Sequence, residues 1–281
     1  MRKITKLIFF CAVLCSFEAA AENIPFEYRD GFIWIRVDIA GEKESFNFLL
    51  DSGAEVSTVD LRTATRLGLK LGKTVRVQGV ESSVAGYWPV QVPATTALLP
   101  LPAKMLAVDL CDLSKSCRCD VHGLIGADFF RNRVVQIDFT RRTLRLLKAA
   151  HARPGDFVLP MRLQKNALLT QLKVNEQKEQ WFRLDTGCAS SLQWASLQSR
   201  ARTLPSTIAV GLSEVQIAYS TTKLQAGGLT LWDVPTGLHP KPIFPGEAGL
   251  LGNGILSRFL VTFDPFQSRL ILSPVESRQA R

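Results

Sequence analysis

The feature that most constrains the fold is a long internal repeat. The segment GLIGADFFRNRVVQIDFTRRTLRLL begins at Gly123, and the segment GLLGNGILSRFLVTFDPFQSRLILS begins 126 residues later, at Gly249. They align without a gap, and apolar residues match apolar residues at most positions. The identical pairs are Gly123/Gly249, Leu124/Leu250, Gly126/Gly252, Val135/Val261, Asp138/Asp264, Leu144/Leu270 and Leu146/Leu272. Self-similarity at a fixed offset predicts two similar halves.

A shorter repeat lies upstream of the long one in each half. The run FLLDSG at 48–53 matches FRLDTG at 182–187, at the larger offset of 134 residues. Each run follows an alternating stretch and a polar turn, a pattern typical of a β-hairpin. Because the two offsets differ, the first half carries about eight extra residues between its motifs. The run CDLSKSCRC at 111–119 is a plausible place for this insertion, as a surface loop.

The remaining sequence reads mainly as short strands. We expect helices over 60–67, over 194–200, and directly after Gly126 and Gly252. The stretch 149–155 contains a proline and a glycine, which predicts a link between the two halves. The predicted strands are 74–78, 88–92, 134–139, 143–147, 208–210 and 260–263. The chain is therefore predicted to be mostly β.

The chain is strongly basic, but its Lys and Arg residues are scattered along the sequence. The formal charge of +9 and the pI near 9.4 would suit a nucleic-acid partner. However, the closest basic groupings, at 141–142 and 200–202, form no long stripe. Nucleic-acid binders usually concentrate their positive charge on one face. We therefore expect a cationic, solvated surface and no nucleic-acid partner.

The N-terminus has the composition of a secretory signal. Three basic residues precede an apolar run at 7–17, and three alanines follow at 19–21. This order predicts a signal peptide over 1–21 and a periplasmic or secreted protein. A lipoprotein site at Cys15 is the weaker interpretation, because Leu14 is large where such sites need a small residue. No later segment has the roughly 18 apolar residues that a membrane span requires.

Four cysteines remain after the signal: Cys111, Cys117, Cys119 and Cys188. In an oxidising compartment they could pair in three ways, and a bridge from Cys111 to Cys117 or Cys119 is favoured. Cys117 and Cys119 are too close to each other for a comfortable bridge. A zinc site that includes His122 is the weaker alternative, because the spacing lacks paired CxxC knuckles. Cys188 could also be a nucleophile, although a buried thiol or a disulfide partner is the simpler interpretation.

Two short acidic motifs are the candidates for chemistry. A single Asp-(Ser/Thr)-Gly is a weak signal, since these residues are common turn formers. Here the motif occurs twice, at 51–53 and 185–187, each time at the end of an apolar strand. Each is followed downstream by two apolar residues and a glycine, at 124–126 and 250–252. The double arrangement is far more specific than either motif alone.

On these motifs, residues from about 32 to 274 resemble the pepsin-like and retropepsin-like aspartic peptidases, in a duplicated, single-chain, exported bacterial-type form. The resemblance implies an all-β, bilobal pepsin-like acid protease fold, with two similar β-barrel-like lobes and short helices. The N-terminal lobe would span 22–148, the linker 149–155 and the C-terminal lobe 156–281. The substrate would be a peptide or protein, hydrolysed by a monomer without a cofactor or a metal.

The resemblance also implies roles for individual residues. Asp51 and Asp185 would share one proton and one water, because two close carboxylates cannot both ionise cheaply. The ionised carboxylate would act as the base on water and the protonated one would donate to the peptide carbonyl, with either able to hold the proton. The residues that would support the two loops are Ser52 and Thr186 through their hydroxyls, and Gly53, Gly187, Gly126 and Gly252 through close backbone approach.

The substrate-covering flap of the family would correspond to a hairpin between 75 and 92, with its tip at about 81–86. The resemblance suggests that Tyr87 or Trp88 faces the substrate, although aromatic residues also serve packing alone in hairpins. A counterpart in the second half is expected around 210–217.

The pH optimum is expected to be mildly acidic to near neutral. Ala54 and Cys188 stand where many pepsin-like enzymes carry a Ser or Thr that donates to a catalytic carboxylate. Loss of such donors raises a carboxylate pKa.

Two rival functions remain open at this point. One is a catalytically silent protein that binds peptides or a partner in the same cleft. The other is an exported β-rich structural module, in which both acidic loops are only turns.

Overall fold

A computed structural model describes residues 23–79, 83–97, 99–196, 206–210 and 213–275. Within these ranges the chain is mostly β, which confirms the predicted class. The proposed signal peptide lies outside the described residues. No helix in the described part of the chain is long and apolar enough to cross a membrane.

The strands are short and follow one another closely. In the first half they are β1 (Asn23–Pro25), β2 (Glu27–Arg29), β3 (Phe32–Ile39), β4 (Phe46–Leu50), β5 (Thr58–Asp60), β6 (Lys73–Gln78), β7 (Ser83–Gln91), β8 (Ala94–Thr96), β9 (Leu99–Pro100), β10 (Lys104–Val108), β11 (Gly123–Ile125), β12 (Val134–Asp138) and β13 (Thr143–Leu147). In the second half they are β14 (Phe157–Gln164), β15 (Ala167–Val174), β16 (Gln180–Asp185), β17 (Leu192–Ala195), β18 (Ser206–Val210), β19 (Ser213–Ala226), β20 (Leu229–His239), β21 (Gly249–Gly252), β22 (Phe259–Asp264) and β23 (Arg269–Pro274).

The described helices are short. They are α1 (Leu61–Arg66), α2 (Cys111–Cys117) and α3 (Asn253–Leu256), with single 3-10 turns at Ala127–Phe129 and Pro265–Gln267. Helix α1 begins as predicted, after Asp60, whose side chain accepts from the Thr63 N–H and caps the first turn.

The strands in the described ranges form two sheets. Ten strands, β2 to β11, make a sheet within the first half, and the other thirteen make a sheet that begins in the first half and continues through the second. In both halves, the strand that leads into the acidic motif pairs in parallel with the strand of the glycine motif, as β4 with β11 and β16 with β21. In both halves, a third strand pairs antiparallel with the glycine strand, as β5 with β11 and β17 with β21. The sequence repeat is therefore also a repeat of strand pairing.

The two copies of the long repeat meet in the larger sheet. Strands β12 and β22 pair antiparallel, with Gln136 opposite Thr262, which are equivalent positions of the repeat. The Gln136 side-chain amide donates to the Thr262 hydroxyl at 3.0 Å. When equivalent residues pair with each other antiparallel, the two copies are related by a local twofold rotation.

A single large apolar cluster joins the two halves. Phe130 and Phe263, for example, are both fully buried, and their ring centroids lie 4.9 Å apart. Burial of each large aromatic side chain contributes on the order of 2–3 kcal/mol to the stability of the fold. The junction between the halves is therefore part of the hydrophobic core.

Two local predictions are wrong. The helix expected over 194–200 does not begin there, because Trp194 and Ala195 belong to β17, which pairs on both sides; residues 197–200 lie outside the described part. The expected loop at 111–119 is largely helix α2, because Leu113 and Cys117 bury themselves in an apolar cluster.

The predicted disulfide is absent. Cys111, Cys117, Cys119 and Cys188 are all free thiols in the structure. Helix α2 separates Cys111 from Cys117 by almost two turns, so they lie at opposite ends of the helix. The predicted bridge from Cys111 to either neighbour therefore finds no support.

Candidate active site

The two acidic loops face each other across the junction of the halves. Asp51 directly follows β4, and Asp185 ends β16. A Cβ atom built on Gly53 would lie 2.5 Å from the Asp185 carboxyl carbon, and one built on Gly187 would lie 2.5 Å from that of Asp51. Each carboxyl group therefore lies against the glycine of the other loop. Any side chain at these glycines would push the carboxyl groups away.

Two buried hydroxyl groups hold the loops together. The Ser52 hydroxyl donates to the Leu184 carbonyl at 2.8 Å, and the Thr186 hydroxyl donates to the Leu50 carbonyl at 2.8 Å. In return, the Ser52 N–H donates to the Thr186 hydroxyl at 2.9 Å, and the Thr186 N–H donates to the Ser52 hydroxyl at 3.1 Å. Both side chains are fully buried. The bonds form reciprocal pairs, as the local twofold rotation requires.

We expect Ser52→Ala and Thr186→Val each to lower the free energy of unfolding by about 1–3 kcal/mol, because each leaves buried backbone groups without partners. The double variant should cost less than the sum, since both residues belong to one network. Urea denaturation measures these changes. Thr65→Ala is the control, because its hydroxyl bond to Leu61 is exposed. If Ser52→Ala and Thr186→Val lose as little stability as Thr65→Ala, the two hydroxyl groups do not hold the loops together.

The glycine strands fix the loops from behind. A Cβ on Gly126 would overlap the carbonyl carbon of Val56, and one on Gly252 would overlap the Ser190 carbonyl oxygen. Close contact lets the Asp51 N–H donate to the Ile125 carbonyl at 2.9 Å. The position of the first loop is thus set by the adjacent strand.

The electrostatics of the acidic pair are dominated by burial. Burial raises the pKa of Asp51, and backbone N–H groups of Gly53 and Ala54, each 3.0 Å away, partly oppose this effect. The pKa of Asp185 is raised well above its usual range by burial and then by the charge of Asp51. Asp185 accepts from the Gly187 N–H at 2.9 Å. Such a pair holds one proton over a broad pH range.

Residues 35–129 match the family model of aspartyl proteases. This match supports an aspartic peptidase family and covers the Asp51 loop, the β6–β7 hairpin and Gly126. No curated protein matches the chain. The second half lies outside the matched segment, so its relation to the first rests on the sequence repeat and the repeated strand pairing.

A cleft of about 610 Å³ is lined by both Asp51 and Asp185. On the first-half side its wall is mostly apolar and includes Leu113 of helix α2. The other apolar residues on this side are Leu49, Ala54, Val56, Val75, Val77, Trp88, Leu106, Val108 and Leu124. Its volume and composition suit a ligand that is mostly apolar.

The hairpin predicted between 75 and 92 is present as β6 and β7. Trp88 lines the cleft, whereas Tyr87 is half-buried and packs against the main core. Of the expected tip, residues 81 and 82 lie outside the described part. The second-half counterpart is also a hairpin, formed by β18 and β19.

Cys188 does not suit a nucleophile. It is buried, its sulfur lies 3.0 Å from the Ser190 hydroxyl, and burial raises its pKa to about 12. The thiolate is the reactive form, so this thiol is inert near neutral pH. Within the described ranges, His, Cys, Asp and Glu form no group of three or more that could hold a metal ion, including around His122.

Arg183 is the site residue that the sequence analysis missed. Its guanidinium donates to both carboxylate oxygens of Glu247, at 2.8 and 2.6 Å, and to the Gly53 carbonyl at 2.7 Å. It also lies 3.7 Å from the ring centroid of Phe244. The sequence does contain a signal for Arg183, because the repeat aligns this charged residue with the apolar Leu49 inside a buried strand.

Proposed function

We propose that this protein is an aspartic endopeptidase that hydrolyses peptide bonds with a water activated between Asp51 and Asp185. The observation that carries the proposal is the meeting of two half-buried carboxyl groups, each against the other loop's glycine, on the wall of a 610 Å³ cleft. The proposed lobes are 22–148 and 156–281, joined by 149–155.

The proposed reaction needs only these two carboxyl groups and water. The ionised carboxylate takes a proton as the water oxygen attacks the peptide carbonyl carbon. The protonated carboxyl donates to the carbonyl oxygen, which gives a neutral tetrahedral diol. The carboxyl group that took the water proton then gives a proton to the amide nitrogen, and a diol hydroxyl gives its proton to the other carboxylate as the C–N bond breaks. The products are a carboxylic acid and an amine, and both carboxyl groups return to their starting state.

The test is cleavage of a diverse peptide mixture by residues 22–281, in ¹⁸O-labelled water, from about pH 3 to pH 8. We expect cuts that place one ¹⁸O atom in each new carboxyl group and that pepstatin suppresses. Intact peptides at every pH, with protein shown to be folded, would favour the silent binding protein instead. A rate maximum near pH 2 would contradict the raised pKa of the pair.

The proposed location is the periplasm or the cell exterior, through the signal peptide at 1–21. The substrate is then a peptide or protein of that compartment, and the proposed enzyme acts as a monomer. Fusion of residues 1–21 to a reporter that is active only after export tests this location.

We expect Asp185→Asn to stabilise the protein at pH 7 and to lose this advantage near pH 4. A carboxyl group whose pKa is raised on folding contributes stability below its unfolded pKa of about 3.9, and this contribution is lost as the pH rises through the folded pKa. Asn does not titrate, so the variant avoids this loss. Thermal or urea unfolding at several pH values measures the difference, and a difference that is independent of pH would contradict the assignment.

A further inference from the structure

The two halves of the site carry residues of opposite character at one pair of equivalent positions. Leu49 and Arg183 both lie two residues before their acidic residue. Leu49 packs in an apolar cluster with Trp34 and Leu124. Arg183 instead carries a charged group into the wall of the cleft, where only 4% of its side chain is exposed.

The guanidinium of Arg183 is held in one orientation. Glu247, with 8% of its side chain exposed, binds it through two hydrogen bonds, and Phe244 stacks on it. Bidentate pairing of this kind fixes geometry as well as charge. The remaining amino group therefore points at one acceptor, the Gly53 carbonyl, at 2.7 Å.

That carbonyl belongs to a peptide group that also contacts Asp51. The Gly53 carbonyl accepts from Arg183, and the N–H of the same peptide, on Ala54, donates to the Asp51 carboxylate at 3.0 Å. A cation bound at a peptide oxygen polarises the peptide and strengthens its N–H as a donor. Arg183 is thus connected to Asp51 through a single peptide group.

The second half has no such connection. The equivalent peptide joins Gly187 and Cys188. The residue equivalent to Arg183 is Leu49, whose side chain has no hydrogen-bond donor for the Gly187 carbonyl. The Ala54 and Cys188 N–H groups both donate to the main-chain oxygen of the acidic residue in their own loop, at 3.1 and 3.2 Å. In the described part of the chain, only the Ala54 N–H also donates to the carboxylate. Among the described contacts, the Asp185 carboxylate accepts from one backbone N–H and the Asp51 carboxylate from two.

We propose that Arg183 is a positioning residue that makes the two acidic residues unequal, so that Asp51 carries the negative charge and Asp185 carries the proton. Asp51 is then the base that activates water, and Asp185 is the acid that donates to the peptide carbonyl. These roles rest on the proposed function, but the order of ionisation does not depend on any activity.

Other charged groups lie near Arg183 and the acidic pair. Glu247 partly neutralises Arg183, and Glu55, half exposed, lies 3.9 Å from the same guanidinium. Lys165 lines the cleft, and Cys188 is an uncharged thiol. Arg183 opposes the rise in the pKa of both acidic residues, while burial and the charge of Asp51 raise that of Asp185 further.

The test is a pH titration of ¹³C-labelled aspartate carboxyl carbons by NMR, with Asp51→Asn and Asp185→Asn to assign the two signals. In the unmodified protein we expect Asp51 to ionise first. In Arg183→Leu/Glu247→Gln, a pair of changes that leaves no orphan buried charge, we expect the first ionisation to move up by about one pH unit. In Glu247→Gln alone, the charge of Arg183 is less compensated, so we expect this ionisation to move down.

Shifts of the first ionisation in opposite directions in the two variants separate this role from a structural one. A purely structural role would shift the first ionisation in the same direction in both variants, or in neither. If the double variant fails to fold, an upward or absent shift in Glu247→Gln overturns the proposal. Ionisation of Asp185 before Asp51 in the unmodified protein also overturns it. Intact peptides together with the expected titration would contradict the proposed function alone, whereas cleavage with unshifted titrations would contradict only the role of Arg183.

Discussion

Asp51→Asn and Asp185→Asn are each expected to lower kcat/KM for peptide cleavage by about 10⁴-fold, because an amide can neither accept the proton of the attacking water nor donate as a carboxylic acid. The double variant should be little worse than either single variant, since the two groups act as a unit. The measurement is the rate of cleavage of one peptide identified in the mixture, with folding checked by circular dichroism.

Asp138→Asn is the matched control for these substitutions. Asp138 is a buried carboxylate outside the site, at the end of β12, where it binds Arg141. We expect this variant to retain the rate of the unmodified protein within about twofold, although its stability falls. Unchanged rates in both site variants would show that the acidic loops are only turns, and would end the peptidase proposal.

Gly126→Ala and Gly252→Ala are each expected to lower the free energy of unfolding by about 3 kcal/mol, at the upper end of the usual cost of overpacking. The added methyl group in each case meets backbone atoms of the neighbouring loop, at Val56 or at Ser190. Backbone cannot rotate away as a side chain can. The loop must therefore shift, so we expect cleavage to fall at least as strongly as stability.

Gly155→Ala is the control for the two glycine variants. Gly155 is exposed in the segment between β13 and β14, with φ +94° and no atom within 4 Å of an added Cβ. Its substitution introduces backbone strain alone, worth about 1–2 kcal/mol, and should leave the cleavage rate unchanged. Urea denaturation and the peptide assay give both quantities. Equal losses in all three variants would contradict the close approach at Gly126 and Gly252.

Some predictions failed where local pattern and tertiary contact disagreed. The inserted run at 111–119 contains three cysteines and polar residues, which favoured a disulfide-tied loop. Its apolar residues are spaced so that Leu113 and Cys117 fall on one helical face, and this face packs in the cluster that contains Trp34. At 194–195, pairing with strands on both sides outweighed the helical pattern.

The sequence by itself determined the two-copy organisation, the mostly β class and the position of both acidic loops. Two copies of the same apolar, acidic and glycine spacing require the same turns and strand pairings, so this information is local and repeated. Only the tertiary structure decided that the cysteines stay unpaired, that Trp88 and not Tyr87 lines the cleft, and that Arg183 reaches Gly53. Arg183 lies 130 residues from Gly53 and 64 from Glu247, and contacts over such separations exist only after the halves have packed.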